Sequence, residues 1–279
     1  MNVALRAGTR RGLTEFGISL RTPGDVLFIV LGVVVVGVVL FLLRDAEVAT
    51  GVPTAWFVIP SVLTIQLAFI STYGLASVVV TEREDGTLLR ARALPAGVPT
   101  YAIGVTVRTL AELVCTVVPT LVIAAIALGG GFGLDPLGAA FVLGVLVLGT
   151  VALTPLGIVL GTLFRNPRSV GGWGFLILGA IAFASGLIQP ISTLPPWVQP
   201  IGLALPLYWI GHALRSAFLP AEFGAIEATG AWQPGLAVAI VAAWAVVALL
   251  LAPRLLRRVA RRETGSAIEA RRQAALRRA

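Results

Sequence analysis

The sequence predicts an all-α polytopic membrane protein: six transmembrane helices, an N-terminal interfacial helix, and outward-facing re-entrant short helices between spans five and six. Three observations carry this. Only 12% of the 279 residues are charged, against roughly 25% in a soluble domain, and the mean hydropathy is +0.95. The apolar residues fall in blocks as long as a bilayer is thick. Ahead of the last block lies a stretch too broken by proline to be a span and too apolar to be an ordinary loop.

Residues 1–25 carry Leu5, Leu13, Phe16 and Leu20 at near-helical spacing among Arg6, Arg10, Arg11 and Arg21. That is the pattern of a helix lying on the membrane surface with its guanidinium groups toward lipid phosphates. Thr22-Pro23-Gly24 breaks it. The basic segment is too long, and the apolar run after it too extended, for a cleaved signal peptide. Val26–Leu43 is the first span, and its 18 residues rise about 27 Å as helix. Trp56–Val80 is the second, Ile103–Leu128 the third, Leu137–Phe164 the fourth, Val170–Ile188 the fifth and Leu236–Leu251 the sixth. Pro119 and Pro155 mark expected kinks, and Pro253 is expected to end the last span.

Between the second and third spans is an elbow, residues 81–99. Thr81 and Glu84 have the spacing of a capping box at a helix start. Leu88, Leu89 and Leu94, with Arg90 and Arg92 among them, predict a short helix where hydrocarbon meets water. The external region, 189–235, is interrupted by Pro190, Pro195, Pro196, Pro200 and Pro206. Non-helical backbone at membrane depth must be buried in protein or line a cavity, so one or two re-entrant helices are expected. His212 and Arg215 stand near its end, with His212 read as an interfacial hydrogen-bonding group. The tail, 254–279, has nine Arg and two Glu. A basic tail beside a span is read as lying on an anionic leaflet, with membrane lipids and not nucleic acid as its partner. The domain plan is therefore 1–25, the six-span unit 26–253, and 254–279.

Charge sets the orientation. With six spans both termini share one side, which collects 19 Arg and 8 acids, or +11, while the other side holds two Arg and five acids, or −3; together these give the chain's +8. The positive-inside rule places the termini and the elbow in the cytoplasm.

Composition also excludes chemistry. All 21 basic residues are Arg, and without lysine the chain cannot carry a P-loop; ATP hydrolysis of that kind belongs to another polypeptide. Cys115 and His212 are each the sole residue of their type, which leaves no cysteine–histidine metal site and no nucleophile–base pair. No catalytic, metal or cofactor site is therefore expected on this chain. Gln66, Thr72 and Tyr73 are the candidate substrate-path residues of the second span, weighed against simple helix–helix hydrogen bonding. Arg108 and Glu112 share a helix face four residues apart and read as a structural pair near the cytoplasmic end.

The surface helix, the elbow Glu82-Arg83-Glu84-Asp85-Gly86-Thr87-Leu88 with Pro95, and the stretch Leu194-Pro195-Pro196-Trp197-Val198-Gln199-Pro200 to Leu205-Pro206-Leu207 together resemble the membrane subunit of a type-2 ABC transporter, of the daunorubicin-exporter-like kind. The resemblance covers nearly the whole chain. It implies a bacterial plasma-membrane permease that pairs with a second copy or a similar permease and with separate ABC ATPase subunits, which hold the ATP and Mg. By position, Glu82, Glu84, Gly86, Thr87 and Leu88 would form the ATPase-coupling contact. The scattered hydroxyls of otherwise apolar spans point to export of a hydrophobic or amphipathic compound, a drug or lipid. A glycan-exporting permease and an ATPase-independent secondary transporter are the alternatives.

Overall fold

The computed structural model describes residues 2–43, 46–48, 52–84, 96–127, 135–164 and 169–262. Helix α1 (Asn2–Ser19) leads into α2 (Pro23–Leu43). A two-residue antiparallel ribbon, β1 (Glu47–Val48) with β2 (Val52–Pro53), precedes α3 (Thr54–Ala68). A π turn over Phe69–Gly74 joins α3 to α4 (Leu75–Glu84) as one continuous rod. Then come α5 (Gly97–Ala127) and α6 (Pro136–Leu163). A second π turn, Val170–Gly174, opens α7 (Phe175–Ala184). The Pro-rich region, 189–235, holds α8 (Gln199–Ala204), α9 (Pro206–Phe218) and two 3-10 turns, Ile191–Thr193 and Ala221–Ile226. Last is α10 (Pro234–Arg262).

Local chemistry explains where these elements start. Helix α6 begins at Asp135, whose carboxylate accepts from Gly138 N at 2.6 Å, with Pro136 in the first turn. Prolines also open α2, α9 and α10, where the missing N–H costs nothing.

Helix α6 is the hub. It packs against α3, α4, α5, α9 and α10. Its buried face includes Val145, Leu146, Gly149, Leu153, Gly157 and Gly161. Gly157 sits against the carbonyls of Ser71 and Thr72, and a side chain there would fall 2.9 Å from both oxygens. Only glycine admits so close an approach of two backbones. Helix α2, by contrast, is peripheral, with Val34, Val35 and Val38 turned outward as a lipid-facing span requires.

Among the described residues five stretches are long and apolar enough to cross a membrane: Pro23–Leu43, Trp56–Glu82, Pro99–Ile126, Pro136–Leu163 and Pro234–Ala252. The expected fifth span is shorter than its apolar run. It is helical over Val170–Ala184, about 22 Å against the roughly 30 Å hydrocarbon layer. A turn at Ser185 and Gly186, where Gly186 has φ +67°, diverts Leu187 and Ile188 into the Pro-rich region.

Three further expectations are corrected. Thr81 and Glu84 start no helix: they lie in the last turns of α4, and the Thr81 hydroxyl donates back to the Ser77 carbonyl at 3.0 Å. The helix of the second span simply continues to Glu84. Pro253 does not end the last span, because α10 runs on to Arg262. Proline removes one helix hydrogen bond but leaves the flanking Leu, Arg and Ala residues, all strong helix formers, free to continue; Arg254 also donates through Nη1 to the Leu250 carbonyl at 2.7 Å. Finally, α1 is more than a surface helix, for it docks along α5.

Candidate functional site

At the elbow end of the molecule three helices meet at one guanidinium. Gly8 and Gly12 of α1 are buried against Thr100, Ile103, Gly104 and Val107 of α5, where any added side chain would strike backbone. That close approach brings Arg11 inward. Its Nε donates to Glu15 at 2.6 Å and its Nη2 to Glu82 at 2.8 Å, and the guanidinium lies 4.7 Å from the centre of the Tyr101 ring. Burial works against the Arg11 charge, but Glu15 and Glu82 outweigh it and raise its pKa. Arg6 and Arg10 remain exposed, whereas Arg11 turns inward.

Glu82 is thus tied to α1 at the point where the second span gives way to the elbow. Glu84 closes α4. Gly86, Thr87 and Leu88 lie outside the described residues. Arg108 donates to Glu112 at 2.7 Å, a self-contained pair one helix turn apart.

The candidate path residues point three ways. Gln66 donates through Nε2 to Thr120 Oγ1 at 2.9 Å, linking the second span to the third. Thr72 is buried in the first π turn, beneath α6. Tyr73 stacks at 5.8 Å on Phe69 and lies beside Gly174 of the second π turn. Gln66 Oε1 and Thr72 Oγ1 have no hydrogen-bond partner among the described residues.

An apolar groove of about 260 Å³ opens between α4, α5, α6 and α10. Leu75, Tyr101, Val105, Ile158, Leu249 and Ala252 are among its walls, and its polar atoms are few, Thr106 and Thr154 contributing hydroxyls.

The Pro-rich region, 189–235, forms a cap around a buried charge network. Arg215 of α9 grips Glu227 with two bonds, Nε to Oε1 at 2.6 Å and Nη2 to Oε2 at 3.1 Å. His212, one turn earlier on α9, meets Glu227 Oε2 through Nδ1 at 3.1 Å, and its Nε2 accepts the backbone N–H of Gln233 at 3.0 Å. The Tyr208 hydroxyl accepts from Ala228 N at 3.3 Å. Burial acts to raise the Glu227 pKa, but the Arg215 charge and the His212 and Arg215 hydrogen bonds prevail and hold it at about 2. His212 is therefore a core group and not an interfacial one: Trp209, Trp232 and Tyr208 close around its ring. Glu227 escaped sequence reasoning, although one signal was available. A lone Arg in an apolar stretch needs a counter-charge, and Glu227 and Glu222 were the acids at hand.

No curated protein matches the chain. A family model described as ABC-2 type transporter matches residues 15–219, from the last turn of α1 through the end of α9. That match takes in the second span, the elbow and the first half of the cap. The chain belongs to the ABC-2 type transporter family.

Proposed function

We propose that this chain is the membrane-spanning subunit of an ATP-driven exporter of the daunorubicin-exporter-like kind, moving a hydrophobic or amphipathic compound across a bacterial plasma membrane. Both termini and the elbow face the cytoplasm, the cap faces outward, and two copies pair with separate ABC ATPase subunits that hold the ATP and Mg. The observation that carries the reading is the Arg11–Glu82 tie. It links α1, the second span and the third span at the mouth of the elbow, so that a push on the elbow moves them together. The absence of lysine agrees with an external source of ATP hydrolysis.

The cargo class rests on the groove. Its walls are almost wholly apolar, which suits a hydrocarbon or aromatic body; a glycan requires a polar, hydrogen-bonding lining. Alternating access follows from ATP-driven closure of the partner ATPases, which shifts the paired subunits between two packings.

A mild-detergent pull-down of the tagged chain, followed by ATPase assays of the reconstituted complex, tests this. The reading requires a stoichiometric P-loop ATPase and turnover stimulated by apolar drugs or phospholipids. Stimulation by oligosaccharides alone replaces the cargo class. Recovery of an intact oligomer of the chain without any ATPase overturns the function.

A further inference from the structure

The exporter cycle makes no use of the most deeply buried charges among the described residues. Arg215 is 1% exposed and His212 is 0% exposed. Arg215 and Glu227, joined by two hydrogen bonds, already balance each other. The network is neutral with His212 uncharged.

Hydrogen bonding fixes the tautomer of His212. A backbone N–H donates to Nε2, so Nε2 carries no proton; Nδ1 carries it and donates to Glu227. A second proton has one place to go, Nε2. There it would face the Gln233 N–H, donor against donor, and the Gln233 bond would be lost. It would also leave a net positive charge in a site with no water-exposed face, because the one acid facing the ring is already matched by Arg215. The other groups around the ring are Tyr208 and Trp209 from α9 and Trp232 from the segment before α10. Glu222, on the 3-10 turn, is exposed.

The bonds at stake hold separate parts of the chain together. Gln233 is where the cap joins α10, and Glu227 and Ala228 end the 3-10 turn. All three fasten to α9 through His212, Arg215 and Tyr208.

We propose that His212 is a proton-operated latch: protonation at Nε2 releases Gln233 from α9 and loosens the chain between α10 and Glu227, which stays bound to Arg215, opening the cap. The sign follows from the neutral form being the one the closed cap binds. Acid therefore weakens the latch and base does not. Glu227 and Gln233 lie past the end of the family match. That an acidic exterior would be the trigger rests on the orientation proposed above; the latch itself does not.

The test uses the full chain in nanodiscs, where both faces meet the same buffer and orientation has no influence. His212 is the single histidine, so nitrogen NMR of histidine-labelled protein reports it alone. Spectra are compared at about pH 7.5 and about pH 5: the ring should be protonated at Nδ1 only where the cap is closed, and at both nitrogens where it is open. Over that range hydrogen exchange at the Gln233 and Ala228 amides, corrected for intrinsic rates, should lose at least about tenfold protection. In His212→Gln, which cannot take the proton, the corrected protection should not change with pH. A ring protonated at Nε2 near neutral pH, equal protection at both pH values in the parent chain, or the same pH-dependent loss in His212→Gln would each overturn the latch. The parent-chain measurements decide it even if the variant fails to fold. None depends on an ATPase partner, so failure of the latch and failure of the exporter reading are separate results.

Discussion

Removing the charge of Glu227 should cost the cap most of its stability. Glu227→Gln keeps the size of the side chain but leaves the Arg215 guanidinium, 1% exposed, without a counter-ion. Breaking a buried pair by removing one partner costs about 3–5 kcal/mol. The pKa gives a second route to the magnitude. A carboxyl held at about 2 against an ordinary 4.5 contributes about 3 kcal/mol at neutral pH. The two agree, and at the 2–4 °C per kcal/mol typical of a chain of this size they correspond to a Tm lower by on the order of 10 °C. Trp209 and Trp232 flank His212, so tryptophan fluorescence during thermal unfolding in nanodiscs reads the cap directly. The double variant Arg215→Met with Glu227→Leu should recover part of the loss, because an apolar pair has no charge to strand and only the His212 Nδ1–H loses its acceptor. A Glu227→Gln Tm within about 1 °C of the parent, or a double variant as unstable as the single, would refute the reasoning.

Glu227 should also write an acid limb into the stability curve. Its folded pKa is depressed, so its contribution is complete above about 4.5 and lost as pH falls toward about 2; thermal unfolding of His212→Gln across that range isolates it from the histidine. Gly12→Leu should undock α1 from α5, since the added side chain meets Gly104 and Val107; faster proteolysis of residues 2–19 with the spans still inserted is the expected readout. Arg11→Met should uncouple the complex, with ATP hydrolysis by the partner retained and transport reduced several-fold, as measured in proteoliposomes; unchanged transport would remove Arg11 from the coupling path. Filling the groove with Ala248→Trp should depress stimulation of ATPase turnover by apolar cargo and leave basal turnover as it was, which a titration of the stimulating compound would show.

The membrane fold was legible because its cause is one-dimensional. Span existence depends on runs of apolar side chains, and five of the six expected runs match crossing helices to within about four residues at each end, as for Leu137–Phe164 against Pro136–Leu163. The first and last runs each gain a proline-led N-terminus, and the last also gains a helical extension, which hydropathy does not encode. The shortened fifth span was missed for a related reason. Leu187 and Ile188 are as apolar as a span requires, and the backbone turn at Gly186 is what ends the helix.

The candidate site was legible only in part. Glu82 could be named from its place beside the elbow, but its partner is 71 residues away at Arg11. Gln66, Thr72 and Tyr73 look alike as polar residues in one span, yet they face three different neighbours. His212, Arg215 and Glu227 appeared as scattered charges of an outer loop and turned out to be a single buried network.

Read alone, the sequence shows apolar blocks of membrane-spanning length, where proline breaks the region ahead of the last of them, and a chain with no lysine and a single cysteine. These depend on composition and on order along the chain. Tertiary structure decided which polar groups meet. A hydrogen bond or ion pair between distant segments is set by helix rotation and close packing, through glycines such as Gly12 and Gly157, and apolar pattern constrains those rotations too weakly to fix a partner.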